Sequence, residues 1–64
     1  INPRFQEGDR VLINLPKHLT HQWVGVVENS FFRPELRSNV YGIRFPERGA
    51  LYTRYYEANL QKAP

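Results

Sequence analysis

Apolar and polar residues alternate over several short stretches of this chain, and turn-forming residues separate the stretches. In the first stretch, Val11, Ile13 and Leu15 occupy alternate positions, so one face of an extended strand would be apolar. Pro16 follows, and proline cannot donate to a sheet ladder. The pattern therefore predicts a first strand over residues 10–15.

Four further stretches complete the predicted secondary structure. Strands are predicted over residues 23–28, 40–45, 50–55 and 60–62. Gly25 lies inside the second strand, where glycine indicates a bend or a close approach of another backbone. Residues 46–49 (Pro-Glu-Arg-Gly) fit a hairpin turn. Residues 56–59 fit a single 3₁₀ turn, and residues 29–39 form the longest stretch expected to be irregular.

Five short strands in 64 residues predict one all-β domain over residues 1–64. The expected architecture is a small five-stranded barrel with a short 3₁₀ turn before the last strand, and its bent second strand serves both halves of the sheet. Residues 1–4 are expected to be a loose lead-in. The chain has no cysteine and therefore no disulfide, so its one Trp, four Tyr and four Phe are expected to carry the core.

Arginine supplies most of the positive charge of this chain. The formal net charge is +3, and seven of the nine basic residues are arginine. Arginine favours bidentate recognition of phosphate or carboxylate, so we expect a nucleic acid or an acidic protein surface as the partner. No apolar run approaches the roughly 20 residues of a membrane span, and no membrane partner is expected. The absence of cysteine suits a cytoplasmic location.

Residues that would indicate catalysis are missing from the sequence. There is no cysteine nucleophile and no glycine-rich phosphate loop, and Ser30 and Ser38 have no base at a recognisable spacing. His18 and His21 lack further metal ligands nearby. We therefore expect no catalytic residue, no metal and no cofactor, and a binding module instead of an enzyme.

The first candidate site combines two adjacent aromatic residues with two arginines. Phe31 and Phe32 cannot both point into one core if the backbone is extended, because successive side chains lie on opposite faces. An exposed ring flanked by Arg33 and Arg37 could stack on a base while the arginines hold phosphates. The same residues could form a hot spot for a protein partner or fold back over a small core. The sequence leaves these three alternatives open.

Arg44 and Arg54 form the second candidate site. They lie on adjacent predicted strands and share the face opposite the apolar one, with Arg10 and Tyr52 beside them. Such a basic stripe suits a phosphate backbone or an acidic docking patch. A solvated polar face whose arginines pair with Glu28 and Glu57 is the alternative. Trp23 is either a core or rim aromatic or a recognition residue at the mouth of the adjoining loop.

The order of these segments resembles the SH3-like small-barrel superfamily over residues 5–62. The resemblance is carried by residues 8–11 (Gly-Asp-Arg-Val), by Trp23 with Gly25 and Val27, by residues 41–45 (Tyr-Gly-Ile-Arg-Phe) and by residues 57–60 (Glu-Ala-Asn-Leu). Such motifs specify the barrel well and the function poorly, because this fold hosts many functions.

Two narrower resemblances imply different activities. One resemblance is to the C-terminal barrel of retroelement integrases, which implies DNA binding and multimerisation. It is carried by residues 11–17, 26–28, 40–43 and 55–60, with Trp23, Gly25 and Lys62. The other resemblance is to the type II dihydrofolate reductase, which implies a homo-oligomer around a shared pore. It is carried by Phe5, residues 8–11, Trp23, Tyr41, Tyr55 and Leu60. Of that family's pore motif only Tyr55 is retained.

The sequence thus predicts a non-enzymatic SH3-like module that binds nucleic acid, DNA in preference to RNA, through an arginine and aromatic surface. The residues predicted to bind are Arg33, Arg37, Arg44, Arg54, Phe31, Phe32 and Trp23. A docking domain for an acidic protein is the first alternative. A homo-oligomeric barrel resembling the type II reductase is the second.

Overall fold

The computed structural model describes residues 2–64, and Ile1, part of the predicted lead-in, lies outside them. Five antiparallel strands form one sheet with the order β4-β3-β2-β1-β5. The strands are β1 (Arg10–Ile13), β2 (Val24–Arg33), β3 (Ser38–Phe45), β4 (Leu51–Tyr56) and β5 (Leu60–Lys62). Three 3₁₀ turns, η1 (Pro34–Leu36), η2 (Pro46–Arg48) and η3 (Glu57–Asn59), lie between them. No helix in this part of the chain is long and apolar enough to cross a membrane.

The predicted all-β, five-stranded architecture with a 3₁₀ turn before the last strand is confirmed. The sheet, however, is not closed into a barrel, because β4 and β5 are its two edges and no ladder joins them within residues 2–64. Strand β5 is three residues long and pairs with β1 alone. One edge of β4 is consequently free of backbone partners.

The prediction of an irregular stretch over residues 29–39 was wrong. Strand β2 continues to Arg33, and β3 begins at Ser38, so that the two strands form a long hairpin. Pro34 opens η1, and Arg37 closes the turn in the left-handed conformation with φ of 49°. Polar residues at positions 29, 30 and 39 have low strand propensity, but the ladder to the partner strand overrides it. The two phenylalanines therefore lie in a strand and not in a loop.

Strand β2 is shared by both halves of the sheet. Its first part pairs with β1, its second part pairs with β3 alone, and the register shifts between Val27 and Asn29. Gly25 has no room for a side chain, because a Cβ atom would collide with Ile43 and crowd the Phe45 ring. The close approach predicted for this glycine is confirmed.

Apolar side chains from all five strands and the N-terminal segment form one core. Its buried members are Phe5, Val11, Ile13, Val27, Tyr41, Ile43, Phe45, Tyr55 and Leu60. Edge-to-face contacts join the Phe5 and Tyr41 rings, with centroids 5.5 Å apart, and the Phe45 and Tyr55 rings, with centroids 6.2 Å apart. Such aromatic pairs add stabilisation beyond their buried area.

The Tyr41 hydroxyl is enclosed at one end of this core. It donates to the Glu57 carboxylate and accepts the Arg4 amide hydrogen, with a nitrogen–oxygen distance of 2.9 Å. The Arg4 amide also lies 3.1 Å from Glu57 Oε2. Arg4 was expected to belong to a loose lead-in, but these hydrogen bonds hold its backbone to β3 and η3.

The pKa values of the pair follow from this arrangement. Burial, and then the Glu57 carboxylate, raise the pKa of the Tyr41 phenol. Burial also acts to raise the pKa of Glu57, but hydrogen bonds from Tyr41, the Arg4 amide and Asn39 outweigh it and leave this pKa lowered. The contact therefore keeps Tyr41 neutral and Glu57 ionised at neutral pH.

Replacing Tyr41 by Phe is expected to lower the free energy of unfolding by about 2 kcal/mol, because a hydrogen bond to an ionised group is lost inside the protein. Urea unfolding at pH 7 measures the change. Tyr56→Phe is the matched control, since Tyr56 is 54% exposed, and it should change the free energy by less than about 0.5 kcal/mol. Equal effects of the two substitutions would contradict the assigned role of Tyr41.

The contribution of Glu57 to stability is expected to depend on pH. A lowered pKa in the folded state stabilises the protein above the unfolded pKa, and that stabilisation is lost as the pH falls through the folded value. Wild type should therefore be more stable than Glu57→Gln at pH 7, and the difference should begin to shrink near the ordinary carboxyl pKa of 4.5 and vanish once the pH is below the lower pKa of the folded state. Urea unfolding from pH 7 to pH 3 tests this. Glu47→Gln, at an exposed turn position, should show no such pH-dependent difference.

Candidate functional site

The three strands β2, β3 and β4 present a second face, turned away from the core, which we call the outer face. Because side chains alternate between faces, the strand register places its residues in four rows. From β2 to β4 the rows are Val26, Arg44 and Tyr52; Asn29, Gly42 and Arg54; Phe31, Val40 and Tyr56; and, at the hairpin end, Arg33 and Ser38. Arg44 and Arg54 therefore share one face, as the alternation predicts.

An aromatic and arginine cluster spans the second and third rows of the outer face. The Arg54 guanidinium carbon is 5.0 Å from the centroid of the Phe31 ring, within the range of a cation–π interaction. Val40 is buried between Phe31 and Tyr56. Phe31 remains 40% exposed and Tyr56 54% exposed. We call Phe31, Tyr56 and Arg54 the stacking cluster.

Arg44, in contrast, has its hydrogen-bonding capacity engaged within the fold. Its guanidinium forms a bidentate ion pair with Glu28 and donates to the carbonyl of Ala50 at 2.7 Å. The ion pair lowers the pKa of the Glu28 carboxyl and raises that of Arg44. Arg44 therefore contributes little unpaired charge to the outer face, whereas Arg54 forms no ion pair among the described residues.

Tyr52 crosses the outer face between these two arginines. Its hydroxyl donates to Asn29 Oδ1 over 3.1 Å, and a Cβ atom on Gly42 would collide with both side chains. Glycine at position 42 is therefore required by the path of the tyrosine ring. The neighbouring Arg54 guanidinium lowers the pKa of the Tyr52 phenol, because positive charge favours the phenolate.

Arg33 and Arg37 lie at the far end of the β2–β3 hairpin. Arg33 donates two hydrogen bonds to one oxygen of Glu35, from Nη2 at 2.6 Å and from Nε at 2.8 Å. That pair is exposed and hence weak. Arg37 ends η1, and its side chain is exposed. Both arginines extend the basic surface past the stacking cluster toward the hairpin turn.

Phe32 and Trp23 do not join the outer face. Phe32 follows Phe31 in the same strand, so its ring lies on the opposite face of the hairpin, where it is 41% exposed. Trp23 packs edge-to-face on Phe45 in the core, with centroids 5.3 Å apart. The Arg48 guanidinium covers the tryptophan at 4.0 Å from the ring centroid. The structure therefore separates two predicted site residues from the other five.

Sequence reasoning missed Tyr56 as a site residue, because it was assigned to the 3₁₀ turn. Strand β4 continues to Tyr56, and η3 begins at Glu57. The alternation of Tyr52, Arg54 and Tyr56 was the signal that could have placed it on the outer face.

The two histidines lie in the β1–β2 loop. His21 Nδ1 accepts the Leu15 amide hydrogen at 3.0 Å, so this imidazole shapes the loop. Within residues 2–64 no group of three or more His, Cys, Asp or Glu side chains lies close enough to hold a metal ion.

Comparison of the chain with protein-family models, with curated proteins and with solved structures finds no match. No relative therefore indicates a function for these residues, and the chemistry of the site is inferred from its own geometry.

We expect Tyr52 to titrate below the ordinary phenol pKa of 10.0, because the neighbouring Arg54 guanidinium favours the phenolate. Arg54→Gln should raise this pKa toward 10.0. An NMR titration of the tyrosine ring signals measures it, with Tyr52→Phe used for assignment. Arg48→Gln removes the same charge beside Trp23 and should leave the Tyr52 titration unchanged. A wild-type pKa at or above 10.0 would contradict the described contact.

Proposed function

We propose that this chain is a non-enzymatic module of the SH3-like type that binds nucleic acid on its outer face. The SH3-like assignment is supported by five antiparallel strands, a second strand shared by both halves of the sheet and a 3₁₀ turn before the last strand. The observation that carries the function is the stacking cluster, in which Arg54 lies against the exposed ring of Phe31.

The cluster has the two chemistries that a nucleic-acid strand needs. Exposed aromatic rings stack on bases, and each such contact contributes about 1–3 kcal/mol. The Arg54 guanidinium, already held flat against a ring, can contact a phosphate without losing much side-chain freedom. Phe31 and Tyr56 lie in the same row of the outer face, on either side of Val40, so successive bases can be placed along that row.

Charge around the cluster favours a polyanion. Arg33, Arg37 and Arg54 lie on or beside the outer face, and Glu35 is the acidic partner of one of them. The chain as a whole carries a net charge of +3. A phosphate backbone would release counterions from these contacts, and binding would weaken as salt is added. We favour DNA over RNA on the resemblance to integrase barrels, and parallel titrations with both decide between them.

Docking to a protein partner is the second candidate function, and a different set of residues supports it. Phe32, 41% exposed, and Leu36, 45% exposed, lie near the same end of the hairpin. Exposed apolar side chains grouped at one place are typical of protein interfaces. Phe32 faces away from the stacking cluster, so the two candidates can be tested separately.

Replacing Phe31 by Ala is expected to weaken the binding of a fluorescein-labelled oligonucleotide by about five- to one-hundredfold, since one stacking contact is lost. Fluorescence anisotropy in 20 mM salt measures the dissociation constant. Phe32→Ala is the matched control, because this residue has the same type and nearly the same exposure in the same strand, and its effect should be under twofold.

The contribution of Arg54 to binding is measured by the salt dependence of the association constant in the same assay. Arg54→Gln should reduce the slope of log K against log salt by about 1, whereas Arg48→Gln should leave it near the wild-type value. No binding of DNA or RNA to wild type at 20 mM salt would refute the proposed function. Equal losses of affinity for Phe31→Ala and Phe32→Ala would show that the stacking cluster is not the binding interface.

A further inference from the structure

A groove of about 480 Å³ runs along the free edge of β4. Four consecutive residues of that strand, 53–56, line it. Consecutive strand residues point to opposite faces, so a groove that touches all four lies beside the strand edge and not on one face. Its volume falls within the roughly 300–1,000 Å³ of small-molecule sites.

The two walls of the groove belong to different parts of the fold. One wall is the β1–β2 loop, with His18 and Thr20. At the other wall the groove reaches Arg33, Arg54 and Tyr56, which belong to the outer face. The groove is thus continuous with the surface on which the bases are proposed to stack.

Two hydroxyl groups of the groove-lining residues have no hydrogen-bond partner among the described residues. They are Tyr55 Oη and Thr20 Oγ1, and both atoms are buried. Tyr55 as a whole is only 6% exposed. Buried hydroxyls are normally paired, so two unpaired ones beside one groove indicate a ligand that supplies their partners.

The chemistry of the lining narrows the class of that ligand. A hydroxyl both donates and accepts a hydrogen bond, which suits the mixed donor and acceptor edge of a nucleobase. Arginine side chains at the mouth suit a phosphate. No aspartate or glutamate lines the groove among the described residues, so a phosphate there meets no like charge from the lining.

We infer that the groove holds one unpaired nucleotide of a single strand whose neighbouring bases stack on the outer face. Its base lies against the loop wall, where Tyr55 Oη and Thr20 Oγ1, buried without the ligand, turn toward the groove and pair with the base edge. Its phosphate lies at the mouth beside Arg54. This inference rests on the proposed function, and it adds that the module selects single strands, because the bases of a duplex are paired and cannot enter.

The test compares a labelled ten-nucleotide single strand with the blunt duplex of the same sequence, by fluorescence anisotropy in 20 mM salt. Wild type should bind the single strand more tightly. Tyr55→Phe and Thr20→Val should each weaken single-strand binding by about three- to tenfold, as expected for one lost hydrogen bond, and leave duplex binding unchanged. Thr20→Ser keeps the hydroxyl and should bind as wild type does.

Thermal unfolding without nucleic acid provides the second readout. Because neither hydroxyl has a partner in the described part of the chain, Tyr55→Phe and Thr20→Val should leave Tm unchanged or raise it. A lower Tm for both variants would show that the hydroxyls serve the fold and would overturn the inference.

The two proposals fail in distinguishable ways. Wild type that binds neither single strand nor duplex removes the proposed function and this inference together. Wild type that binds both equally, with Tyr55→Phe and Thr20→Val unaltered, removes the nucleotide groove alone and leaves the outer face as the interface.

Discussion

The hydrogen bond between the Tyr41 hydroxyl and the Glu57 carboxylate is the contact on which the arrangement of this small sheet depends. It joins strand β3, the turn before the last strand and, through the Arg4 amide, the N-terminal segment. A chain of 64 residues without cysteine has few other ways to connect such distant segments. Leaving either partner unpaired beside the core would be costly.

The division of the sheet into two faces explains how so short a chain can keep a core and still present a candidate binding surface. In β3, Tyr41, Ile43 and Phe45 fill the core, while the residues between them face outward. Gly42 is one of these, and its missing side chain lets the Tyr52 ring lie flat across the sheet. The outer face is therefore shaped by a glycine and filled by aromatic rings from the neighbouring strands, with little cost to the core behind it.

Period-two alternation was enough to predict that five strands exist, the core face of β3 and the shared face of Arg44 and Arg54, because these depend only on local geometry. The sequence also offered Glu28 and Glu57 as partners on this face. Glu28 does pair with Arg44, whereas Glu57 binds the Tyr41 hydroxyl. The register shift between Val27 and Asn29, beside Glu28, could not be predicted from the local pattern. The extension of β2 was missed because its polar residues have low strand propensity. The ladder to β3 stabilises this part of the strand, and a ladder cannot be seen in the local sequence.

The distribution of paired and unpaired charge locates the candidate interface more narrowly than the sequence did. At one end of the outer face, Arg44 is held by Glu28 and by a backbone carbonyl, so a ligand would have to displace good hydrogen bonds to reach it. Toward the hairpin end, Arg54 lies on an exposed ring without a carboxylate partner among the described residues. An unpaired guanidinium that binds a phosphate gains a charge-assisted hydrogen bond. A guanidinium that must first break an ion pair gains little net free energy of binding. The free energy available for binding is therefore concentrated around Phe31, Arg54 and Tyr56, and the groove beside β4 opens at that same end of the molecule.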